Sequence, residues 1–141
     1  MTDSLQPTIN TTQGAQREIL IVDDDNLLLD MYAMRFSQAG FNVTTSMSAQ
    51  ETIDKLRAGL KPEIMLLDVV MPAVDGFEML EQINTEHLAP DAVKIFLSNL
   101  GQEEDITRGK SLGAASYIVK ANNTPSEVVA HVLDVVEHHG S

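Results

Sequence analysis

The chain has 141 residues, 43% of them hydrophobic and 21% charged, which is enough for a single folded core and typical of a globular protein. It has no cysteine, so disulfides, thiolate metal sites and cysteine nucleophiles are excluded. A net charge of −12, from 21 acidic against 9 basic residues and with no local Lys/Arg cluster, disfavours direct binding to nucleic acid or anionic membranes. No apolar run approaches the length of a membrane span and no secretory signal is visible, so a cytoplasmic location is expected.

Residues 1–16 are polar and aperiodic, with Pro7 and Gly14, and read as a disordered leader to a single domain over 17–139. Glu18-Ile-Leu-Ile-Val22 reads as a short buried strand that ends on Asp23-Asp24-Asp25. A helix follows from Asn26 to Ala39, with Asp25 or Asn26 as its N-cap and Gly40 past its end. In this helix Leu28, Met31, Tyr32 and Phe36 are expected to face inward, leaving Leu29 and Ala33 outward. Phe41 to Ser46 is a weaker strand, and Ser48 to Ala58 a second helix with Ser48 and Glu51 spaced as a capping box.

Glu63 to Leu67 is the most apolar strand, and it stops at Asp68 before Pro72 and Asp75-Gly76 open a third helix to Glu86. Ala92 to Ser98 is a fourth strand. The next helix, Gln102 to Leu112, is interrupted by Gly109 and should be the least stable. Ala114 to Val119 is a fifth strand ending at Lys120, and Thr124-Pro125-Ser126-Glu127 marks the start of a last helix to about His138. Five strands alternating with five helices imply an α/β fold with a parallel sheet covered on both faces.

The strand ends carry the chemistry. Asp23-Asp24, Asp68, Ser98 and Lys120 all emerge along one edge of such a sheet, where ligands of open α/β folds bind. Carboxylates crowded there repel one another unless a hard cation joins them, and a donor set of oxygens alone suits Mg²⁺. Lys120 adds a positive charge for a phosphate, Ser98 a hydroxyl donor, and one carboxylate a nucleophile for aspartyl-phosphate chemistry. Dinucleotide-binding and P-loop chemistry is disfavoured by Asp-Asp-Asp-Asn where glycines are needed. Aspartate-based phosphatase chemistry is disfavoured by Val70, where a second aspartate is wanted.

Ile-Leu-Ile-Val-Asp23-Asp24, Leu-Leu-Asp68-Val-Val-Met-Pro-x-x-Asp-Gly76, Leu-Ser98 and Ala-x-Tyr117-Ile-Val-Lys120 together resemble the receiver domain of two-component response regulators, over about residues 17 to 139. The resemblance implies a flavodoxin-like (βα)5 three-layer sandwich with strand order 2-1-3-4-5. It implies a stand-alone switch whose phosphoacceptor is Asp68 and whose donor is a sensor histidine kinase or a phosphotransfer protein. Mg²⁺ would be held by Asp23, Asp24, Asp68 and the Val70 carbonyl, and the phosphate by Lys120. Ser98 and Tyr117 would be the switch pair, acting through the α4-β5-α5 face on a downstream protein effector. Leu29 and Ala33 become candidates for contact with the kinase. A monomer or weak homodimer is expected, and no catalysis beyond the domain's own phosphorylation and slow dephosphorylation.

Four positions depart from the family pattern. Ala121 stands where proline usually follows the lysine, so a trans bond and a shifted loop are expected. Asn99 is larger than the residue usual after the switch hydroxyl, Val70 and Leu100 replace polar residues that orient water, and Asp25 reads as a cap only. Ala121 and Asn99 keep open an alternative, a pseudo-receiver that binds partners without phosphorylation. His87, His131, His138 and His139 show no ligand spacing and read as surface residues. Met31, Met34, Met65, Met71 and Met79 read as core, and the apolar stripe of the last helix, Val128 to Val136, is wider than one buried face requires.

Overall fold

The computed structural model describes residues 16–139, so the expected leader lies outside the described residues save for Gln16. In chain order the elements are β1 (Glu18–Val22), α1 (Asn26–Gln38), β2 (Asn42–Ser46), α2 (Ala49–Arg57), β3 (Ile64–Leu67), α3 (Gly76–Thr85), β4 (Val93–Ser98), α4 (Glu103–Ser111), β5 (Ser116–Val119) and α5 (Pro125–His139). The sheet is wholly parallel in the order β2-β1-β3-β4-β5, the flavodoxin-like arrangement. Each helix begins at the edge where its preceding strand ends, as crossovers between parallel strands require.

Strand alternation divides the core in two. Leu20, Met65, Leu67 and Phe96 pack with Ile53, Phe77 and Leu80, under α2 and α3, with Ile106 of α4 against the same cluster. Ile19, Ile21, Leu66 and Ile118 pack with Phe36 and Val132 under α1 and α5. Burial on both faces explains why β1 and β3 are apolar without alternation.

Helix starts follow local chemistry. The Asp25 carboxylate accepts from the Leu28 N–H as the cap of α1, and Asp75 with Glu78 forms a reciprocal capping box on α3. Thr124 and Glu127 exchange the same pair of bonds at the start of α5. At α2 the box is displaced: Glu51 N–H donates to Ser48 Oγ, but the Glu51 carboxylate accepts from Met47 N–H, one residue earlier. α4 has Gly109 as its buried residue, and a glycine inside a helix costs about 1 kcal/mol relative to alanine.

Helix α1 lies in a different phase from that expected. Leu29, Tyr32 and Phe36 form its buried face, and Leu29 is only 3% exposed, so it cannot be an outward contact residue. Ala33 is half-buried. Met31 and Met34 are 42% and 56% exposed rather than core, while Met65, Met71 and Met79 are buried as expected. The helix is apolar nearly all round, so periodicity alone could not select its phase. In α5, Val128, Val129 and Val132 are buried and Leu133, Val135 and Val136 half-buried against the same cluster. At the opposite edge from the aspartates, Lys94 is buried on β4 and its Nζ donates to the Ala89 carbonyl at 2.7 Å. Burial lowers the pKa of that amine.

Gly76 opens α3 directly against the end of β3, where a Cβ would stand 2.0 Å from the Asp68 carbonyl oxygen. Backbone cannot yield as a side chain does, so Gly76→Ala should cost about 2–3 kcal/mol, read as a lower midpoint in urea unfolding.

Candidate functional site

The C-terminal edge of the sheet gathers the residues expected there. Asp23 ends β1 and is 2% exposed, Asp68 follows β3 at 5%, Ser98 ends β4 fully buried, and Lys120 follows β5. Backbone bonds fix two of them: Asp23 N–H donates to the Ser46 carbonyl and Asp68 N–H to that of Val22. The carboxylates of Asp23, Asp24 and Asp68 offer oxygens that all lie within 4.8 Å of one another, the one such grouping among the described residues. Lys120 reaches into it, its Nζ 2.7 Å from Asp23 Oδ2 and 3.4 Å from Asp68 Oδ2.

Each carboxylate is oriented further. Asp23 Oδ1 accepts from the Asp25 N–H at 2.9 Å, and Asp68 Oδ1 from its neighbour Val69 N–H at 2.8 Å. Asp25 itself caps α1, as expected, and takes no place in the cluster. Burial pushes the Asp68 carboxyl up to about 7; the Lys120 cation opposes this and the Asp23 anion adds to it. Lys120 is held above its ordinary value despite burial, because Asp23 and Asp68 favour its charged form. Two buried anions beside one buried cation leave a net negative cavity lined by oxygen donors. That chemistry fits a small hard divalent cation such as Mg²⁺.

Ser98 Oγ accepts from the Leu100 N–H at 3.2 Å, which ties the hydroxyl to the loop after β4. The Tyr117 ring is turned inward, 9% exposed, and its hydroxyl donates to the Leu100 carbonyl. Burial pushes the Tyr117 phenol up, with the Ser98 hydroxyl offsetting part of the rise. The rim is apolar: Val70 is 57% and Leu100 39% exposed. Asn99 is exposed. After Lys120 the chain makes one turn of 3-10 helix, Lys120–Asn122, and no cis peptide occurs among the described residues, so the bond before Ala121 is trans.

Two features were not legible in the sequence. Tyr32 of α1 is 3% exposed; burial raises its phenol, and it lies within electrostatic reach of Lys120, Asp23 and Asp68. A tyrosine in an apolar helix gave no sign of this. Leu27, Met31 and Met34 form an exposed apolar row on α1 at helical spacing, with Leu27 77% exposed. Among the histidines, His87 is exposed, but His131 is half-buried and shares a 3.0 Å hydrogen bond with Ser116, contrary to a surface role.

An open parallel sheet with this acidic edge, a facing lysine and a strand-end hydroxyl defines a class of phosphate-handling α/β domain. The model of the response regulator receiver domain matches residues 19–133, and the chain belongs to that family. It is 34% identical over 118 residues to the response regulator SaeR of Staphylococcus aureus, covering 84% of this chain and 50% of that protein. The chain thus spans about half the length of the curated relatives it matches. Among solved structures it is similar to the BeF3-activated DrrB receiver domain (27% identity, TM-score 0.72, 86% of this chain and 98% of that one). It is also similar to a CheY-like receiver domain protein of Methanospirillum hungatei (25% identity, TM-score 0.78, 88% and 96%). No helix among the described residues is long and apolar enough to cross a membrane.

An Asp68 pKa above its ordinary value means the folded chain holds that proton more tightly than the unfolded one. Stability of the metal-free protein should therefore fall as pH rises from roughly 4 to 7 and level off above. Asp68→Asn should flatten that slope and melt several degrees higher at pH 8, as followed by circular dichroism in EDTA.

Proposed function

We propose that this receiver domain is a signalling switch that accepts a phosphoryl group on Asp68 from the phosphohistidine of a sensor histidine kinase or phosphotransfer protein. The observation that carries the reading is the buried Asp68 carboxylate, grouped with Asp23 and Asp24 and 3.4 Å from Lys120. The Val69 N–H holds Oδ1 and so fixes the plane of the carboxylate before the donor arrives. One Asp68 oxygen forms the new O–P bond as the donor's N–P bond breaks, and that electron pair leaves with the imidazole. Asp23, Asp24, Asp68 and the Val70 carbonyl would hold Mg²⁺, which when bound neutralises charge on the carboxylates and the phosphoryl oxygens. Lys120 moves its positive charge between Asp23 and the phosphate it binds.

Ser98 and Tyr117 act as the switch pair. The Ser98 hydroxyl donates to a phosphoryl oxygen, and Tyr117 fills the space behind it, coupling the site to the α4-β5-α5 face read by a downstream protein effector. Leu27, Met31 and Met34, rather than Leu29, supply the apolar contact on α1 for the phosphodonor protein. The domain works in the cytoplasm as a monomer or weak homodimer, binding neither nucleic acid nor membrane directly, and its only chemistry is its own phosphorylation and slow dephosphorylation.

Incubation with Mg²⁺ and acetyl phosphate should give a single phosphoryl adduct by intact mass, absent without Mg²⁺ and absent in Asp68→Ala. A protein that binds Mg²⁺ yet forms no adduct would instead be a phosphorylation-independent interaction module. The exposed apolar side chains of Val70 and Leu100 cannot orient an attacking water. The adduct should therefore be long-lived, and Val70→Asn with Leu100→Glu should shorten its lifetime about tenfold or more, measured by the same mass assay after donor removal.

A further inference from the structure

Gly109 lies in α4 with an ordinary helical φ, so no backbone conformation there requires glycine. Packing does. A Cβ at this position would stand 2.9 Å from Cδ2 of Phe96 and 3.1 Å from Cδ2 of Tyr117. The two rings differ in what they can give. Phe96 is fully buried and meets Phe77 edge-on at 5.1 Å, so it has nowhere to go. Tyr117 lies on β5, an edge strand of the sheet, in tilted contact with Phe96 at 5.8 Å, and its tip is tied by one hydrogen bond to the Leu100 carbonyl. Its open side is the outward one.

The helix is anchored beside this point, because the Arg108 guanidinium sits 4.7 Å over the Phe77 ring. α4 therefore rests on a row of three rings, Phe77, Phe96 and Tyr117, and Gly109 is where it comes down on the row. The contacts that keep Tyr117 inward are the Phe96 ring, the Gly109 backbone and the Leu100 carbonyl. All are protein groups, and they act whether or not Asp68 carries a phosphoryl group.

Resting on the reading of Ser98 and Tyr117 as the switch pair, we propose that Gly109 is a positioning residue that seats Tyr117 inward ahead of phosphoryl transfer and so makes Asp68 a readier acceptor. If the form with the ring inward is the one that takes up the phosphoryl group, labelling scales with its population, and whatever raises that population beforehand speeds labelling in proportion. A side chain at 109 would remove the seat, and Tyr117 would be the ring to leave.

The test uses the full 141-residue protein labelled with fluorotyrosine, whose two tyrosines give two fluorine NMR signals, assigned with Tyr117→Phe. In the native protein the Tyr117 signal should stand at its buried position and move little on adding Mg²⁺ and beryllofluoride. In Gly109→Ala it should stand at the solvent position and move inward on that addition, and labelling by sub-saturating acetyl phosphate should slow about 5- to 50-fold. Leucine at 96 makes room for the added methyl, so Phe96→Leu/Gly109→Ala should restore both ring position and rate. A general loss of structure would not be rescued in this way.

The proposal is overturned by a native Tyr117 that stays solvent-exposed until beryllofluoride is added, or by a Gly109→Ala protein that keeps the ring buried. A labelling rate unchanged while the ring moves would overturn it equally. If no variant takes up phosphoryl group or beryllofluoride, the proposed function fails, and the fluorine signals without ligand still decide whether Gly109 seats the ring.

Discussion

Lys120 joins the end of β5 to Asp23 at the end of β1, across the two strands that lie between them, and the rest of the acidic edge is built around that contact. Asp23 and Asp68 are buried to an extent that carboxylates tolerate only when paired. One ammonium cannot neutralise both; it lies closer to Asp23, and burial holds the Asp68 carboxyl up at about 7 against the pull of Lys120. The edge is thus held together and left unbalanced by the same group. Removing one member of such a buried pair costs about 3–5 kcal/mol in other proteins, so the lysine is structural as well as a phosphate ligand in waiting.

The second dependency runs sideways from this edge. Ser98 and Tyr117 both bond to Leu100, one to its N–H and the other to its carbonyl, so a single peptide segment links the buried hydroxyl to the ring beneath α4. α4 is the helix with the least buried side-chain surface, Gly109 being its buried residue. With so little else buried, α4 depends on its seat over the row of rings.

Much of this was readable from residue order. β1 and β3 are continuous apolar runs because both faces of a central parallel strand are covered, and each run ends on an aspartate that the interior would not accept unpaired. That pattern points to the class and to the members of the acidic edge, whereas the strand order followed only from the resemblance to receiver domains. The phase of helix α1 differs from the expected one because Leu27, Leu28, Leu29, Met31 and Met34 place apolar residues on every side, and only packing against β1 and α5 decides which are covered. The inward approach of Tyr32 and the fit of Gly109 against Phe96 and Tyr117 depend on distances between elements far apart in the chain. No local pattern encodes them.

Because every helix starts at the strands' C-terminal edge, their backbone dipoles point the same way. Each contributes about half an elementary positive charge at its start, on the edge that carries Asp23, Asp24 and Asp68, and the matching negative ends gather at the other edge, where Lys94 is buried. An anion approaching a molecule of net charge −12 is therefore repelled over most of the surface, and at this one rim the helix starts and Lys120 offset part of that repulsion. The repulsion is long-range and the offset short-range, so moderate salt screens the first more than the second. Ionic strength then widens access to the rim instead of closing it, the opposite of what a basic phosphate-binding surface would show.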